Sequence, residues 1–319
     1  MDIDIDLVYT WCDDNDALWH RKRQQYQKGV VADEQAICTG RFVQNNELKY
    51  SLRSVEKYMP WVRRIYIVSD NQTPEWLNTD HPKIVMVTHE QIIDKKYLPL
   101  FNSSAIETGL PYIPDLSEHF LYMNDDTFIN ASVQPEDFFT PDDKIIWRAN
   151  VAKESPKLTQ YVRKIISMQD LAQNIFATKY PLYYPHHNID AYHKSDFIAC
   201  NKLVPDLLQK TQSHRFRDAS DWQRSLIYYY SINKNHGITK YVDEYRYSFK
   251  AWLKHYFIDG GRRDSTVVSL NCKDIKRKLK RQKPLFFCLE DGEKVNDADR
   301  QRSKVFMESY FPDKSSFEK

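Results

Sequence analysis

Two adjacent aspartates give the sequence its clearest chemical signal. Asp125 and Asp126 follow the apolar and aromatic start of "EHFLYMNDDTFIN" (118–130), which predicts a buried strand that ends in a loop carrying both carboxylates. Such a pair can share a hard divalent cation such as Mg²⁺, with diphosphate oxygens and water completing the ligand shell. Because Asp and Asn are common in turns, the pair taken alone fits an ordinary turn equally well.

Two other predicted strands also end in acid. Asp13 and Asp14 follow "VYTW", and Asp70 follows "IYIVS". In a parallel sheet the carboxyl ends of the strands meet at one edge, where ligands bind. Three acid-ended strands at one edge predict a site.

A histidine-rich stretch, "YYPHHNIDAYHKSDF" (183–197), contains His186, His187, His193 and Lys194. An imidazole near neutral pH suits phosphate contact and general acid–base catalysis. Surface-loop histidines are the plainer interpretation. Zinc binding is less favoured, because no two of these histidines lie four apart on a convincing helix.

Two basic stretches could meet anions. "SHRFRDASDWQ" (213–223) places Arg215 and Arg217 before a predicted helix, and the planar guanidinium matches phosphate oxygens; a solvated basic loop is the alternative. "KDIKRKLKRQK" (273–283) holds seven basic residues and one acid. Such a run is usually a solvated helix face. It could also contact anionic lipid headgroups or a polyanionic glycan, and nucleic acid is the third alternative.

The composition limits the class of protein. With 319 residues, 41% of them hydrophobic, the chain can form one large α/β domain or two modest ones. A net charge of +2 argues against bulk nucleic acid as a partner. There is no apolar run long enough to span a membrane, and there is no signal-peptide pattern. The five cysteines are scattered and lack CxxC spacing, which indicates a reducing, cytoplasmic setting. Neither GxGxxG nor a P-loop occurs, so a nucleotide must be held in another way.

Strands and helices alternate along the first half. Strands are predicted at 3–11, 63–70, 83–89, 119–126 and 284–292, and helices at 45–59, 102–110, 156–176, 221–232 and 296–311. Asn45, a Ser104–Glu107 capping box and Asn296 are the expected helix starts. This order predicts a mainly parallel sheet flanked by helices, with a helix-rich second half. No linker interrupts the chain, so we expect one compact catalytic unit over 1–319, its 1–150 half binding nucleotide and metal and its 151–319 half completing the active site.

Four blocks in order resemble the Stealth family of hexose-1-phosphate transferases, which includes capsular and cell-wall polysaccharide phosphotransferases and the animal GlcNAc-1-phosphotransferase catalytic subunit. The blocks are "DIDLVYTWCDDND", the long stretch from "NNELKYSLRSVEKYMPWVRRIYIVSD" to "LSEHFLYMNDDTFI", "YPHHNIDAYHKSDF" with "HRFRDASDWQ", and "FFCLEDGEKVNDADRQRSKVFMESYFP". Together they cover almost the whole chain.

The resemblance implies a core similar to GT-A and Rossmann-like nucleotide-binding folds. It implies a UDP-sugar donor, Mg²⁺ or Mn²⁺, and a glycan or lipid-linked oligosaccharide acceptor whose hydroxyl attacks the sugar-linked phosphorus and releases UMP. The setting would be cytoplasmic, with peripheral contact at the inner membrane face left open. A metal-dependent glycosyltransferase that releases UDP is the alternative enzyme, and a glycan- or membrane-surface-binding protein is the non-enzymatic alternative.

The resemblance also suggests roles for individual residues. Asp125, Asp126 and Asp291 match family acids and would bind metal, with Asp126 also a candidate for taking the acceptor's proton. His186 would serve acid–base chemistry or phosphate contact, although His187 matches the same motif, and Arg217 would neutralise phosphate charge. Substrate contacts are expected from a further set: Tyr9, Trp11, Asp13, Arg53, Asp70, His187, Lys194 and Asp221.

Overall fold

The computed structural model describes residues 3–28, 42–151, 160–181, 183–292 and 294–319. Within these ranges eleven strands form three sheets. In chain order the strands are β1 (Ile5–Thr10), β2 (Ile65–Ser69), β3 (Ile84–Thr88), β4 (His119–Asn124), β5 (Thr127–Ile129), β6 (Ile145–Val151), β7 (Tyr183–Pro185), β8 (Asp190–His193), β9 (Gly237–Tyr241), β10 (Ser265–Ser269) and β11 (Phe286–Glu290).

The largest sheet has the order β3-β2-β1-β4-β8. Its first four strands are parallel, and only β8 runs antiparallel. Thr10 at the end of β1 pairs with Val68 on one side and Asn124 on the other, so the three strands end at the same edge. The predicted α/β class and mainly parallel sheet are therefore confirmed, and the order 3-2-1-4 is that of a Rossmann-like nucleotide-binding sheet.

Helices flank these sheets. The α-helices of the described residues are α1 (Ala17–Gln27), α2 (Glu47–Tyr58), α3 (His89–Ile92), α4 (Ser103–Glu107), α5 (Gln160–Phe176), α6 (Lys194–Asn201), α7 (Pro205–Ser213), α8 (Ser225–Asn233), α9 (Phe249–Leu253), α10 (Ile275–Gln282) and α11 (Asp297–Tyr310). No helix in the described ranges combines the length and apolar character needed to cross a bilayer.

Two of the predicted helix starts were wrong. α2 is capped by Asn46, whose backbone has a left-handed φ of 66°, and not by Asn45. α4 begins after Asn102, whose side chain accepts from the backbone N–H of Ser104, so Ser104 lies inside the helix. The third start was right, because the Asn296 side chain caps α11.

Two smaller sheets, β10-β11-β5 and β7-β6-β9, contain strands that the sequence patterns did not predict. β7 has three residues, and β8, at the edge of the largest sheet, has four; both are too short for alternation to be visible. The antiparallel pairing of β11 with β5 matches Cys288 to Thr127, and Leu289 donates its backbone N–H to the carbonyl of Asp126 at 2.9 Å. The second half of the chain thereby meets the aspartate loop.

The largest apolar cluster draws on both halves, from Ile5 in β1 to Tyr229 in α8 and Phe317 near the last residue. One apolar cluster thus collects side chains from segments that are far apart in the sequence. That the chain forms one compact catalytic unit stays a prediction. The division into a nucleotide- and metal-binding half and a completing half stays a prediction.

Candidate active site

Three carboxylates lie near enough to influence one another where β4 ends and α2 begins. Asp125 and Asp126 directly follow β4, and Glu47 is the first residue of α2. The left-handed backbone of Asn46 turns the chain into this helix, and the Glu47 carboxylate accepts from the backbone N–H of Asn45 at 2.6 Å. The Asp125 carboxylate accepts from Gln44 Nε2 at 2.7 Å. A short loop and a helix N-terminus thus hold the cluster from one side.

Burial, and after it mutual repulsion, shifts the pKa values of this cluster. Removal from water, followed by the charges of Asp126 and Glu47, raises the pKa of Asp125 to about 8. Burial raises the pKa of Glu47 to about 6, and Asp126 adds to the effect against the hydrogen bonds from Asn45. Like charges and lost hydration are the conditions under which a carboxyl group holds its proton. A bound cation would relieve both.

His187 is a neighbour of Asp126. Its Nε2 is 3.8 Å from Asp126 Oδ1. Burial acts to lower the pKa of His187, but the Asp126 carboxylate outweighs it and the pKa is raised. A histidine paired with a carboxylate in this way can take up a proton during a reaction.

His186 points elsewhere. Its Nδ1 is 2.7 Å from Ser265 Oγ, at the start of β10, and its backbone N–H donates to the carbonyl of Arg148 at 3.1 Å. Burial lowers the pKa of His186, opposed by the nearby charge of Asp264. Of the two histidines that the sequence left open, the structure brings His187 to the acidic cluster and joins His186 to a structural network.

Arg217 lies on a loop docked against the start of α4. Its Nη2 donates to Ser103 Oγ at 2.6 Å, and among the described residues no carboxylate forms an ion pair with it.

The buried Asp221 fixes this loop by accepting from Asn102 Nδ2 at 3.0 Å, from the backbone N–H of Asp218 at 2.7 Å and from His214 Nδ1 at 2.7 Å. Asp221 therefore positions the loop, while the Arg217 charge stays available to an anion.

The arginine loop reaches the edge where β1 ends. Phe216 packs in an apolar cluster with Trp19, Phe42 and Phe101, and Cys12, just beyond β1, packs against that cluster. Burial raises the pKa of Cys12 above its ordinary range, and Asp125 is the largest of the charges that add to the shift. The loop and the acidic cluster thus share the neighbourhood of Cys12.

Of the residues predicted around β1, two are buried in the core and one lies at the sheet edge. Tyr9 is fully buried, and its hydroxyl bonds to Ser51 Oγ at 2.8 Å, so it ties β1 to α2. Trp11 is also buried at the strand end. The Asp13 carboxylate accepts from the backbone N–H of Asn15 at 2.9 Å and from its Nδ2 at 2.8 Å, and Asp13 lies half-buried at the edge. Asp13 is the member of this group best placed to meet a ligand.

Three predicted site residues are held by other partners. Arg53 forms a two-point ion pair with Glu318 at 2.7 and 2.8 Å, and Asp70 pairs with Lys22 at 2.6 Å. Lys194 donates to the carbonyl of Leu116 at 3.2 Å. These contacts are structural, and none of them includes a residue of the acidic cluster.

Asp291, predicted as a metal ligand, follows β11. Its carboxylate is bound at both oxygens by Arg300 of α11, at 2.7 and 3.0 Å. The structure therefore joins Asp291 to the closing helix and not to Asp125 and Asp126.

Sequence reasoning missed several residues that the fold brings in. Glu47 and Gln44 complete the acidic cluster, and the thiol of Cys288 reaches Asp126 from β11. Arg224 is a partly buried cation whose Nε lies 2.7 Å from Asp190 Oδ2 and whose Nη1 lies 3.1 Å from Glu107 Oε2. Asp190 and Glu107 stand in the recognised motifs, but only the fold shows that they share one arginine.

The donor set fits a hard cation. Carboxylate and amide oxygens are the ligands of Mg²⁺ and Mn²⁺, and Gln44 Oε1 is buried with no hydrogen-bond partner among the described residues. Asp126, His187 and Cys288 also converge, with ligand atoms within 4.8 Å of one another. Burial and the charge of Asp126 raise the pKa of the Cys288 thiol well above its ordinary value, so it keeps its proton and is a poor ligand.

Comparisons with known proteins converge on one family. Residues 41–146 match the model of Stealth protein CR2, conserved region 2. The chain is 30% identical to the capsular polysaccharide phosphotransferase WcwK of Streptococcus pneumoniae, over 99% of this chain and 98% of that protein. It is 32% identical to the capsular polysaccharide phosphotransferase fcs1 of Haemophilus influenzae, over 97% of this chain and 84% of that protein.

A solved structure of the galactosyltransferase LgtC, in complex with donor and acceptor sugar analogs, is similar at a TM-score of 0.44 and 10% identity. The match covers 96% of this chain and 95% of that one. A likeness this distant carries no argument about function, and the fold class rests on the sheet order itself.

Proposed function

Since the chain belongs to the Stealth family of phosphotransferases, we propose that it transfers sugar-1-phosphate from a UDP-sugar to a hydroxyl group of a glycan acceptor. UMP is the second product. The acceptor is a growing capsular or other cell-surface polysaccharide, free or lipid-linked. The observation that carries this proposal is the cluster of Asp125, Asp126 and Glu47 beside His187, at the carboxyl edge of a nucleotide-binding type of sheet.

Asp125, Asp126 and Glu47 would hold Mg²⁺ or Mn²⁺. The cation, when bound, neutralises the diphosphate oxygens and makes the sugar-linked phosphorus a better electrophile. The three carboxylates set where the diphosphate lies, and Asp13 faces the same edge for contact with the nucleotide. Binding also keeps Asp125 and Glu47 ionised, since a cation favours the charged form of a carboxyl group.

In the transfer step the acceptor oxygen forms a bond to the sugar-linked phosphorus. The bond between that phosphorus and the bridging oxygen breaks, and the oxygen leaves with UMP. His187 Nε2 takes the proton of the acceptor hydroxyl, and the Asp126 carboxylate stabilises the imidazolium that forms. The bond between the sugar C1 and its oxygen remains intact throughout.

Arg217 would meet the charge that builds up on the phosphoryl oxygens. It has no carboxylate partner among the described residues, and Asp221 fixes the loop that carries it. A guanidinium can donate two parallel hydrogen bonds to such oxygens. The arginine would thus add charge stabilisation of a sign that the carboxylates cannot supply.

Released nucleotide tests the proposal. The enzyme is incubated with a panel of UDP-sugars, Mg²⁺ and a glycan acceptor, and the nucleotide products are separated. We expect UMP in amounts equal to the product, and no UMP once EDTA removes the metal. UDP in amounts equal to the glycan product would instead identify a glycosyltransferase. If none of the donors is turned over, a binding protein would be favoured.

A further inference from the structure

A stretch of α9 and the turn after it exposes an unusual amount of apolar surface. Of the fifteen large apolar side chains that are exposed among the described residues, seven lie between Tyr247 and Ile258. Phe249, Phe257 and Ile258 are 76%, 77% and 77% exposed. Monomeric soluble proteins rarely leave a contiguous patch of this kind uncovered.

The exposed side chains have the spacing of a buried helix face. α9 continues into a π-helical turn, Lys254–Ile258. Five of the exposed residues recur at helical intervals and form what we name the aromatic stripe: Phe249, Trp252, Leu253, Tyr256 and Phe257. Such a stripe normally packs against a core. Here the helix is attached by its other side, where His255 is buried and stacks on Tyr245 at 4.0 Å between ring centroids.

The aromatic stripe packs mainly on itself. The ring of Trp252 lies 6.0 Å from Phe249, 5.2 Å from Tyr256 and 6.2 Å from Phe257. None of these residues belongs to the three apolar clusters of the described part of the chain. The stripe therefore contributes little to the stability of the fold, and its composition calls for another explanation.

Basic residues surround the stripe. Lys250 and Lys254 lie on the same helix, Arg262 and Arg263 follow it, and the backbone N–H of Arg263 donates to the carbonyl of Gln282 in α10 at 3.2 Å. α10 buries Ile275 and Leu279 and presents its lysines and arginines to solvent. Residues 246–263 and 273–283 together hold twelve basic residues and two acids, although the net charge of the whole chain is +2. The positive charge is concentrated around the stripe.

We propose that residues 247–258 dock this protein on the surface of an anionic phospholipid bilayer. The aromatic stripe lies in the interface between headgroups and acyl chains, where Trp, Tyr and Phe are favoured. Lys250, Lys254 and the basic face of α10 contact the phosphate groups. The proposal rests on this surface alone and does not depend on the proposed function.

Charge and composition favour a bilayer over the other occupants. Two copies that met through the stripe would bring their basic surroundings together, which opposes association. A glycan would leave the aliphatic Leu253 and Ile258 without suitable contacts, since they offer no hydrogen bond to a sugar hydroxyl. A bilayer accepts the apolar side chains and attracts the basic ones.

Vesicle co-sedimentation of the full chain tests the inference. The vesicles contain phosphatidylcholine alone or phosphatidylcholine with phosphatidylglycerol. We expect binding to the anionic vesicles to be at least about tenfold tighter, and to weaken at high salt. The double variant W252S/F257S should lose about tenfold or more of that binding, while its thermal unfolding and its activity on a water-soluble acceptor stay unchanged.

A matched double variant, L18S/V305S, controls for the loss of exposed apolar side chains, because Leu18 and Val305 are 77% and 58% exposed elsewhere on the surface. It should bind vesicles like the original protein. Failure of the original protein to bind anionic vesicles would overturn the inference, as would full binding by W252S/F257S. Light scattering that shows a dimer for the original protein and a monomer for W252S/F257S would identify a second copy as the occupant. That result would also overturn the inference.

Discussion

His187 Nε2 lies 3.8 Å from Asp126 Oδ1, although one residue follows β7 and the other follows β4. The carboxylate outweighs the effect of burial and raises the pKa of the imidazole. The adjacent His186 instead bonds to Ser265. Two neighbouring histidines therefore have different environments, and this difference predicts different roles.

The first prediction concerns these histidines. His187→Gln should lower kcat about a hundredfold or more, because the acceptor hydroxyl loses the group that takes its proton. His186→Gln should lower the melting temperature and change kcat only slightly, since it breaks the contact between the residue after β7 and the start of β10. Steady-state kinetics and thermal unfolding of both variants distinguish the roles. Equal losses of kcat in the two variants would contradict the assignment.

The second prediction concerns the acidic cluster. Asp126→Asn should reduce kcat about a thousandfold, since a lost carboxylate ligand removes several kcal/mol of transition-state stabilisation. Glu47→Gln should raise the Mg²⁺ concentration needed for half-maximal activity. Asp313→Asn, at an exposed position, is the matched control and should behave like the original enzyme. A loss below about tenfold for Asp126→Asn would count against a metal role.

The third prediction concerns pH and stability in the absence of metal. The folded chain keeps the Asp125 proton up to about pH 8 and the Glu47 proton up to about pH 6, whereas the unfolded chain releases them near 3.8 and 4.5. The folded state therefore binds more protons in this window, so the free energy of unfolding falls as pH rises. The melting temperature in EDTA should drop from about pH 5 to about pH 8, and Mg²⁺ should restore it most at the higher pH.

Asp125→Asn supplies the control for this measurement. The variant should show a flatter dependence of melting temperature on pH and a smaller gain from Mg²⁺, because its amide does not titrate. A melting temperature that rises with pH in EDTA for the original protein would show that the cluster is not under strain.

The fourth prediction concerns Arg53. Its pair with Glu318 is mostly buried, and although burial raises the pKa of that carboxyl group, the hydrogen bonds from Arg53 and its surroundings lower it to about 2. Arg53→Met should reduce the free energy of unfolding by about 2 kcal/mol, a moderate loss because Lys49 remains 3.4 Å from Glu318. The donor KM should not change. Lys57→Met, an exposed lysine of the same helix, is the control, and a raised donor KM in Arg53→Met alone would return Arg53 to the substrate site.

The parts of the fold that sequence predicted are those with strong local signals. β2 and β3 are continuous apolar runs followed by polar residues, and β1 and β4 carry such runs after Asp6 and His119. Runs of this kind specify buried parallel strands. The Asn296 cap of α11 is likewise local. Asp125 and Asp126 follow the apolar run of β4 directly, so their place at a strand end is also a local signal.

The missing parts depend on contacts between distant segments. Glu47 resembles any acid in the first turn of a helix, where the macrodipole favours it, and only the turn at Asn46 brings it to the aspartates. Cys288 reaches Asp126 through the antiparallel pairing of β5 with β11. The partner of Arg53 is Glu318, near the other end of the chain. Local patterns cannot specify such pairs.

The fate of the donor's β-phosphorus tests the central proposal most directly. The enzyme is given a UDP-sugar carrying ³²P at the phosphorus that bears the sugar, and the label is followed into the separated products. Transfer of sugar-1-phosphate predicts that the label enters the glycan and that the released UMP is unlabelled. Label recovered in UDP, with an unlabelled glycan, would show attack at the sugar carbon and contradict the proposed function.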